Sequence, residues 1–235
     1  MAKGSNIITD GLSGPLGKLR FVRSKKYGQH VRSPRGTFKP AVLNNTMAAS
    51  SEQLASAVAP AKAIFNAVRG EHKDGDLWNK LLVIFRQQLK ARTGFNTHYL
   101  KDLECNAKFT LEKLMLCTEY KIQLVEKEHT LCIGLVLKKH PEWLHLHWKH
   151  HFQYRLSMIV VYPDLASGSF TKETNHGPVT EFTAPVEPLS FEVAVPDGAD
   201  RYLVFMLAEV CENGKAVTMT HTKGMRVVGM GEISI

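Results

Sequence analysis

The chain has 235 residues, is 44% hydrophobic and carries a formal net charge of +8. That length allows one large or two small domains with an ordinary buried core. No stretch approaches the roughly 20 apolar residues that span a bilayer, and the opening MAKGSNIITDGLSG lacks the apolar core of a secretory signal. The expected setting is therefore the cytoplasm, or a particle assembled there, with no membrane contact.

The charge is localised. Residues 1–40 hold nine Lys/Arg against one acid, Asp10, so the whole +8 lies there; the other 195 residues hold 21 basic and 21 acidic side chains. A general solubility charge would be spread out, so the leader's charge has a local task. Gly11, Gly14, Pro15 and Gly17 break regular structure at its start. Residues 18–24 then alternate, with Leu19, Phe21 and Arg23 on one side and Lys18, Arg20 and Val22 on the other. A turn at 25–28 and a return strand at 30–33 make a basic β-hairpin or extended arm. A lone two-stranded hairpin is marginal in water and needs a body, a neighbour or a ligand to order it. The candidate partner- or phosphate-binding residues are Lys18, Arg20, Arg23, Lys25, Lys26, Arg32 and Arg35.

The glycines of this leader do not make a phosphate loop, because position 12 is Leu and Leu19 follows Lys18. No GxGxxG motif follows a strand, which leaves no dinucleotide site.

A helical section follows. Residues 50–69 place Leu54, Val58, Ala61 and Phe65 at helical spacing, with Pro60 expected to kink or split the helix. A second helix is predicted over 77–91, with Leu77, Leu81, Ile84, Phe85 and Leu89 in one stripe and an N-terminal cap from 74–76. Arg86, Lys90 and Arg92 suit its C-terminal end. A short helical piece is expected near 98–103.

From about residue 109 the hydrophobic period changes from 3.6 to 2. Strands are predicted at 109–116, 120–126, 130–137, 143–148, 152–162, 179–184, 189–195, 202–210, 216–221 and 225–235. Turn chemistry at Pro163-Asp164, Pro196-Asp197-Gly198 and Glu212-Asn213-Gly214 separates several of them. Closely spaced strands without intervening helices argue an antiparallel β-sandwich. The expected fold is α+β: a basic Gly-rich arm or hairpin (1–46), a helical segment (47–106) and an immunoglobulin-like antiparallel β-sandwich (107–235).

The densest run of unusual residues, from His140 to His151, contains five histidines. On a strand His145 and His147 share a face, with Leu144, Leu146 and Trp148 on the other. With Glu142 nearby they could bind zinc, but a catalytic zinc needs a third ligand at a defined place. The plainer reading has Leu and Trp inward and His on the wet face, so no metal and no cofactor are expected. No GxSxG or HExxH motif is present. Cys105, Cys117, Cys132 and Cys211 form no CxxC pair, and reduced thiols are expected.

Several short motifs run through the chain: Gly14-Pro-Leu-Gly17-Lys18, Tyr27-Gly28, Val31-Arg32-Ser33-Pro34, the strand ending Val161-Tyr162 before a turn, and Glu212-Asn213-Gly214 before a closing strand. In this the chain resembles a family of uncharacterised Bacteroidetes proteins of about this length. The resemblance implies a Gly-rich basic element, a helical segment and a β-rich C-terminal half, and no activity. Pro60 and the His-rich strand depart from its pattern.

The expected function is that of a non-enzymatic structural or interaction protein. It would be a component of a larger assembly, of virion or secretion type, with the basic arm binding a neighbouring protein subunit, self or other. The alternative is a nucleic-acid-binding protein whose arm contacts phosphates. A second alternative is a metal-dependent enzyme built on the His-rich strand.

Overall fold

The computed structural model describes residues 14–16, 19–24, 28–32, 44–115, 119–127, 129–141 and 152–233. The protein is α+β with antiparallel sheets. It divides into two compact units, Met1–Ala49 and Ser50–Ile235. In the first, β1 (Gly14–Leu16), β2 (Leu19–Ser24) and β3 (Gly28–Arg32) form a meander in the order β1-β2-β3. The alternating strand and return strand expected there are both present.

The second unit opens within α1 (Asn45–Val68), which α2 (Leu77–Ala91) follows. Pro60 does not split α1, which runs through it unbroken. A proline in a helix interior costs about 3 kcal/mol through its missing N–H and ring clash. Here the ring is itself buried, in a row with Ala57, Ala61, Ile64, Ala67 and Val68, and that packing outweighs the lost bond. The expected stripe of α2 is in place, with Leu77, Leu81 and Phe85 fully buried. Asp76 sits at its N-cap without a side-chain capping bond. Asp74 instead takes the backbone N–H of Asp76 (2.9 Å), that of Ala107 (2.9 Å) and the Lys80 ammonium (3.2 Å). Burial opposes its ionisation, but these donors win and hold its carboxyl below the usual range.

A 3₁₀ turn, Thr97–Leu100, lies at the expected short helical piece. The strand predicted at 109–116 is instead a helical turn, α3 (Leu111–Leu114), capped by the Thr110 hydroxyl accepting from the Lys113 N–H. Leu111 and Leu114, three apart, are both buried; a turn puts such a pair on one side, whereas a strand would oppose them.

The remaining strands are β4 (Tyr120–Lys127), β5 (Thr130–Leu137), β6 (Phe152–Pro163), β7 (Phe170–Glu181), β8 (Leu189–Ala194), β9 (Arg201–Glu212), β10 (Lys215–Ala216) and β11 (Lys223–Glu232). They form a three-stranded sheet, β4-β5-β8, and a five-stranded one, β10-β9-β6-β7, with β11 also on β9. The strand expected at 216–221 shrinks to the two residues of β10, and Thr220–Thr222 is a 3₁₀ turn. The strand predicted at 143–148, with Trp148, lies outside the described residues.

The centre of the five-stranded sheet is buried on both faces. Tyr202 to Cys211 of β9 are buried at every position. Tyr202, Val204, Met206, Ala208 and Val210 share a core with Leu131, Ile133 and Leu135 of β5 and with Phe191 and Val193 of β8. Leu203, Phe205 and Leu207 share the other core with Ala61, Ile64, Leu81 and Phe85 of the helices. The order of layers is helices, five-stranded sheet, three-stranded sheet. Where α1 meets the β6–β7 turn the backbones touch closely. Gly168 has φ +75°, and a Cβ there would lie 2.9 Å from the Ala59 carbonyl oxygen, so glycine is required on both counts.

Candidate partner-binding sheet

The small N-terminal sheet contains the sequence-predicted binding residues that are described. Antiparallel register pairs Arg20 with Arg32, Phe21 with Val31, Val22 with His30 and Arg23 with Gln29. Directly paired residues lie on one face of a sheet, and successive residues alternate. One face therefore carries Arg20, Val22, His30 and Arg32, and the other Leu19, Phe21 and Val31. Lys18, Lys25, Lys26 and Arg35 lie outside the described residues.

None of the described side chains of this sheet is buried. Leu19 is 48% and Val31 41% exposed. A two-stranded hairpin is marginal on its own pairing; here the third strand adds only three residues, and among the described residues Leu19, Phe21 and Val31 belong to neither hydrophobic core. Opposite-charge pairs stabilise neighbouring strands and like charges directly opposite destabilise them. Arg20 and Arg32 are such a like-charged pair, and no described acid forms an ion pair with either. The Arg32 Nε–H is buried without an acceptor among the described residues.

The larger unit has three polar constellations of its own. Glu209, 2% exposed, accepts from Arg155 Nε (3.0 Å) and from its terminal nitrogen (2.6 Å), and pairs with Lys223 Nζ at 3.1 Å. These three residues are adjacent across β6, β9 and β11. Burial would raise the Glu209 carboxyl, but the hydrogen bonds from Arg155 and Lys223 outweigh it and hold it low. The sequence signal is one charged residue inside the apolar run of β9.

The second constellation surrounds Arg226. Its guanidinium bonds the Tyr120 hydroxyl and stands 3.9 Å from Glu104 and 4.0 Å from Asp102. Burial raises the Glu104 carboxyl, against the Leu111 N–H and Arg226. Glu104 and Arg226 face each other in an isolated β-bridge, which no sequence spacing announces. A shallow cavity of about 560 Å³ opens beside Tyr120 and Arg226.

The third lies at the end of the large sheet, in a cavity of about 750 Å³ lined by Asp164, Asp197, Asp200, Arg201, Phe95 and Phe170 among others. Its acids are engaged locally. Asp164 accepts from the Ala166 N–H (2.9 Å), the Ser167 N–H (3.1 Å) and the Ser167 hydroxyl, and the Ser167 bonds hold its carboxyl low. Asp200 takes two bonds from Arg201.

Among the described residues no group of three or more His, Cys, Asp and Glu is arranged to hold a metal ion. Glu142, His145, His147, His150 and His151 lie outside the described residues. His140 is described, and its ring is engaged: Nε2 donates to the Ala184 carbonyl at 2.6 Å and Nδ1 meets the Tyr154 hydroxyl at 2.9 Å. Cys105, Cys132 and Cys211 are free thiols; burial pushes those of Cys105 and Cys211 up, which suppresses thiolate chemistry. Among the described residues no helix is long and apolar enough to cross a membrane.

No protein-family model and no curated protein matches the chain. A solved structure of beta-glucosidase 3B from Thermotoga neapolitana, in complex with glucose, is 11% identical with a TM-score of 0.21. The alignment covers 50% of this chain and 17% of that one. A likeness at that score carries no argument.

Proposed function

We propose that the protein is a non-enzymatic structural or interaction protein, a component of a larger assembly of virion or secretion type. Its body is an immunoglobulin-like β-sandwich backed by a helical hairpin, and its N-terminal sheet docks on a neighbouring subunit. It works in the cytoplasm or in a particle assembled there. The carrying observation is the apolar face of Leu19, Phe21 and Val31 in a sheet with no buried side chain among those described. Such a face gains free energy only when a second surface covers it, at about 25 cal/mol per Å² of apolar area removed from water. The simplest neighbour is a second copy of this chain.

Sedimentation velocity across micromolar concentrations tests this. The full chain should associate reversibly. A Leu19→Ser/Val31→Ser variant should dissociate at least about tenfold more readily, since about 1.4 kcal/mol of lost burial gives that factor. Its thermal midpoint should stay within a few degrees, because neither residue belongs to a core. A full chain monomeric at every concentration, or a variant that associates like the parent, would remove self-docking.

A further inference from the structure

We propose that the other face of the N-terminal sheet is a nucleic-acid site, in which Arg20 and Arg32 together grip backbone phosphate. The inference rests on reading this sheet as the binding module, and adds a ligand class for its second face. Arg20 and Arg32 are directly opposite in the β2–β3 register, which puts their Cβ atoms about 4.5–5.5 Å apart. Two guanidiniums so placed repel unless an anion lies between or across them. No described acid pairs with either side chain, and the buried Arg32 Nε–H has no described acceptor. The guanidinium fork matches phosphate geometry bidentately, which an ammonium does not.

His30 and Val22, the next pair along the two strands, complete this face beside the two arginines. The face is thus short, basic and unbroken by an acid. It lies in a segment of nine cations and one acid, on a chain whose remainder is neutral. A polyanion with a dense, regular charge fits that segment better than an acidic protein surface, where charges are sparse and mixed with cations. Duplex DNA carries one negative charge per roughly 1.7 Å of axis, and its major groove admits a two-stranded β-ribbon. β2 and β3, of six and five residues, present such a ribbon, widened at one edge by the three residues of β1. Binding through phosphates alone carries no base information, so the site is indifferent to sequence.

The test is fluorescence anisotropy of labelled 20-base-pair duplexes of two unrelated sequences with the full chain, across a salt series. Both duplexes should bind alike, with log affinity falling against log salt at a slope of roughly −5 to −7, for about six to eight phosphate contacts. The Arg20→Gln/Arg32→Gln variant should make that slope about 2 shallower, one unit per lost contact, and weaken binding at least about tenfold at the same salt. Its circular dichroism and thermal midpoint should match the parent, since neither arginine lies in a core.

A slope shallower than about −2, or a double variant that binds like the parent, would overturn the proposal. So would competition by poly-glutamate as effective as competition by DNA, which would mark an acidic protein as the partner. The Leu19→Ser/Val31→Ser variant separates the two readings. If it dissociates while still binding DNA, both stand. If self-association fails and the DNA result holds, only the docking face is lost. If the chain associates but ignores DNA, only the nucleic-acid face is lost.

Discussion

Phe205→Ala should lower the free energy of unfolding by about 3–5 kcal/mol, the range for deleting a buried aromatic ring. Phe205 is fully buried in the middle of β9, on the face that meets Leu81 and Phe85 of α2 and Ile64 of α1. The helices are thus half of the packing that holds this strand, and truncation leaves a cavity that two rigid elements cannot close. Urea denaturation followed by tryptophan fluorescence measures the loss, read from the transition midpoint at unchanged slope. A cost below about 1 kcal/mol would mean that the helices do not cover this face of the sheet.

The second large effect belongs to Glu209. Glu209→Gln should destabilise the fold by about 2–4 kcal/mol at neutral pH, because it leaves the mostly covered Arg155 and Lys223 without their shared counter-charge. The partial exposure of the two cations places the estimate toward the lower part of the range for breaking a buried pair. The sign with pH follows from the lowered carboxyl. A depressed carboxylate stabilises the fold above its unfolded pKa, about 4.3, and loses that contribution as pH falls through the folded value. The gap between parent and variant should therefore be constant from pH 7 to about 5 and shrink below about 4. A gap that persists undiminished in strong acid would mean that shape, not charge, carries the effect.

Much of this architecture is readable from residue patterns. The stripe from Leu77 to Leu89 predicts α2, and strict alternation over 120–126 and 130–137 predicts β4 and β5 with small shifts at the ends. Other parts are hidden for physical reasons. The first three-quarters of β7, Phe170–Pro178, is not predicted as a strand. It is an edge strand with little burial, so Thr171, Lys172, Glu173 and His176 show no apolar period. β9 gives the opposite difficulty. Its unbroken apolar run says that both faces are covered, but not that Leu203 and Phe205 face the helices while Val204 and Met206 face the three-stranded sheet. The segment 109–116 alternates well enough for a strand, and only the burial of Leu111 with Leu114 turns it into a helical turn.

The candidate site was legible as composition, not as geometry. The charge count singles out the leader, and alternation puts Arg20 and Val22 on one side of β2. That Arg32 faces Arg20, and Val31 faces Phe21, depends on the register between two strands. Register shifts by one residue would exchange the faces, and composition is blind to that difference. The Arg155–Glu209–Lys223 and Arg226–Tyr120–Glu104 constellations were not singled out at all, because each gathers residues from strands far apart in sequence.

Binding is expected to reside in the N-terminal sheet, while the rest of the chain folds without it. Removal of residues 1–43, which leaves α1 whole, tests this directly by calorimetry and sedimentation on one preparation. Among the described residues, every side chain of the two hydrophobic cores lies in the Ser50–Ile235 unit. The truncated chain should therefore unfold in one cooperative transition within a few degrees of the parent midpoint, since little buried surface is lost, and should sediment as a monomer at concentrations where the full chain associates. A truncated chain that fails to fold would make the sheet an integral part of the fold, and one that associates as the full chain does would put the docking surface elsewhere.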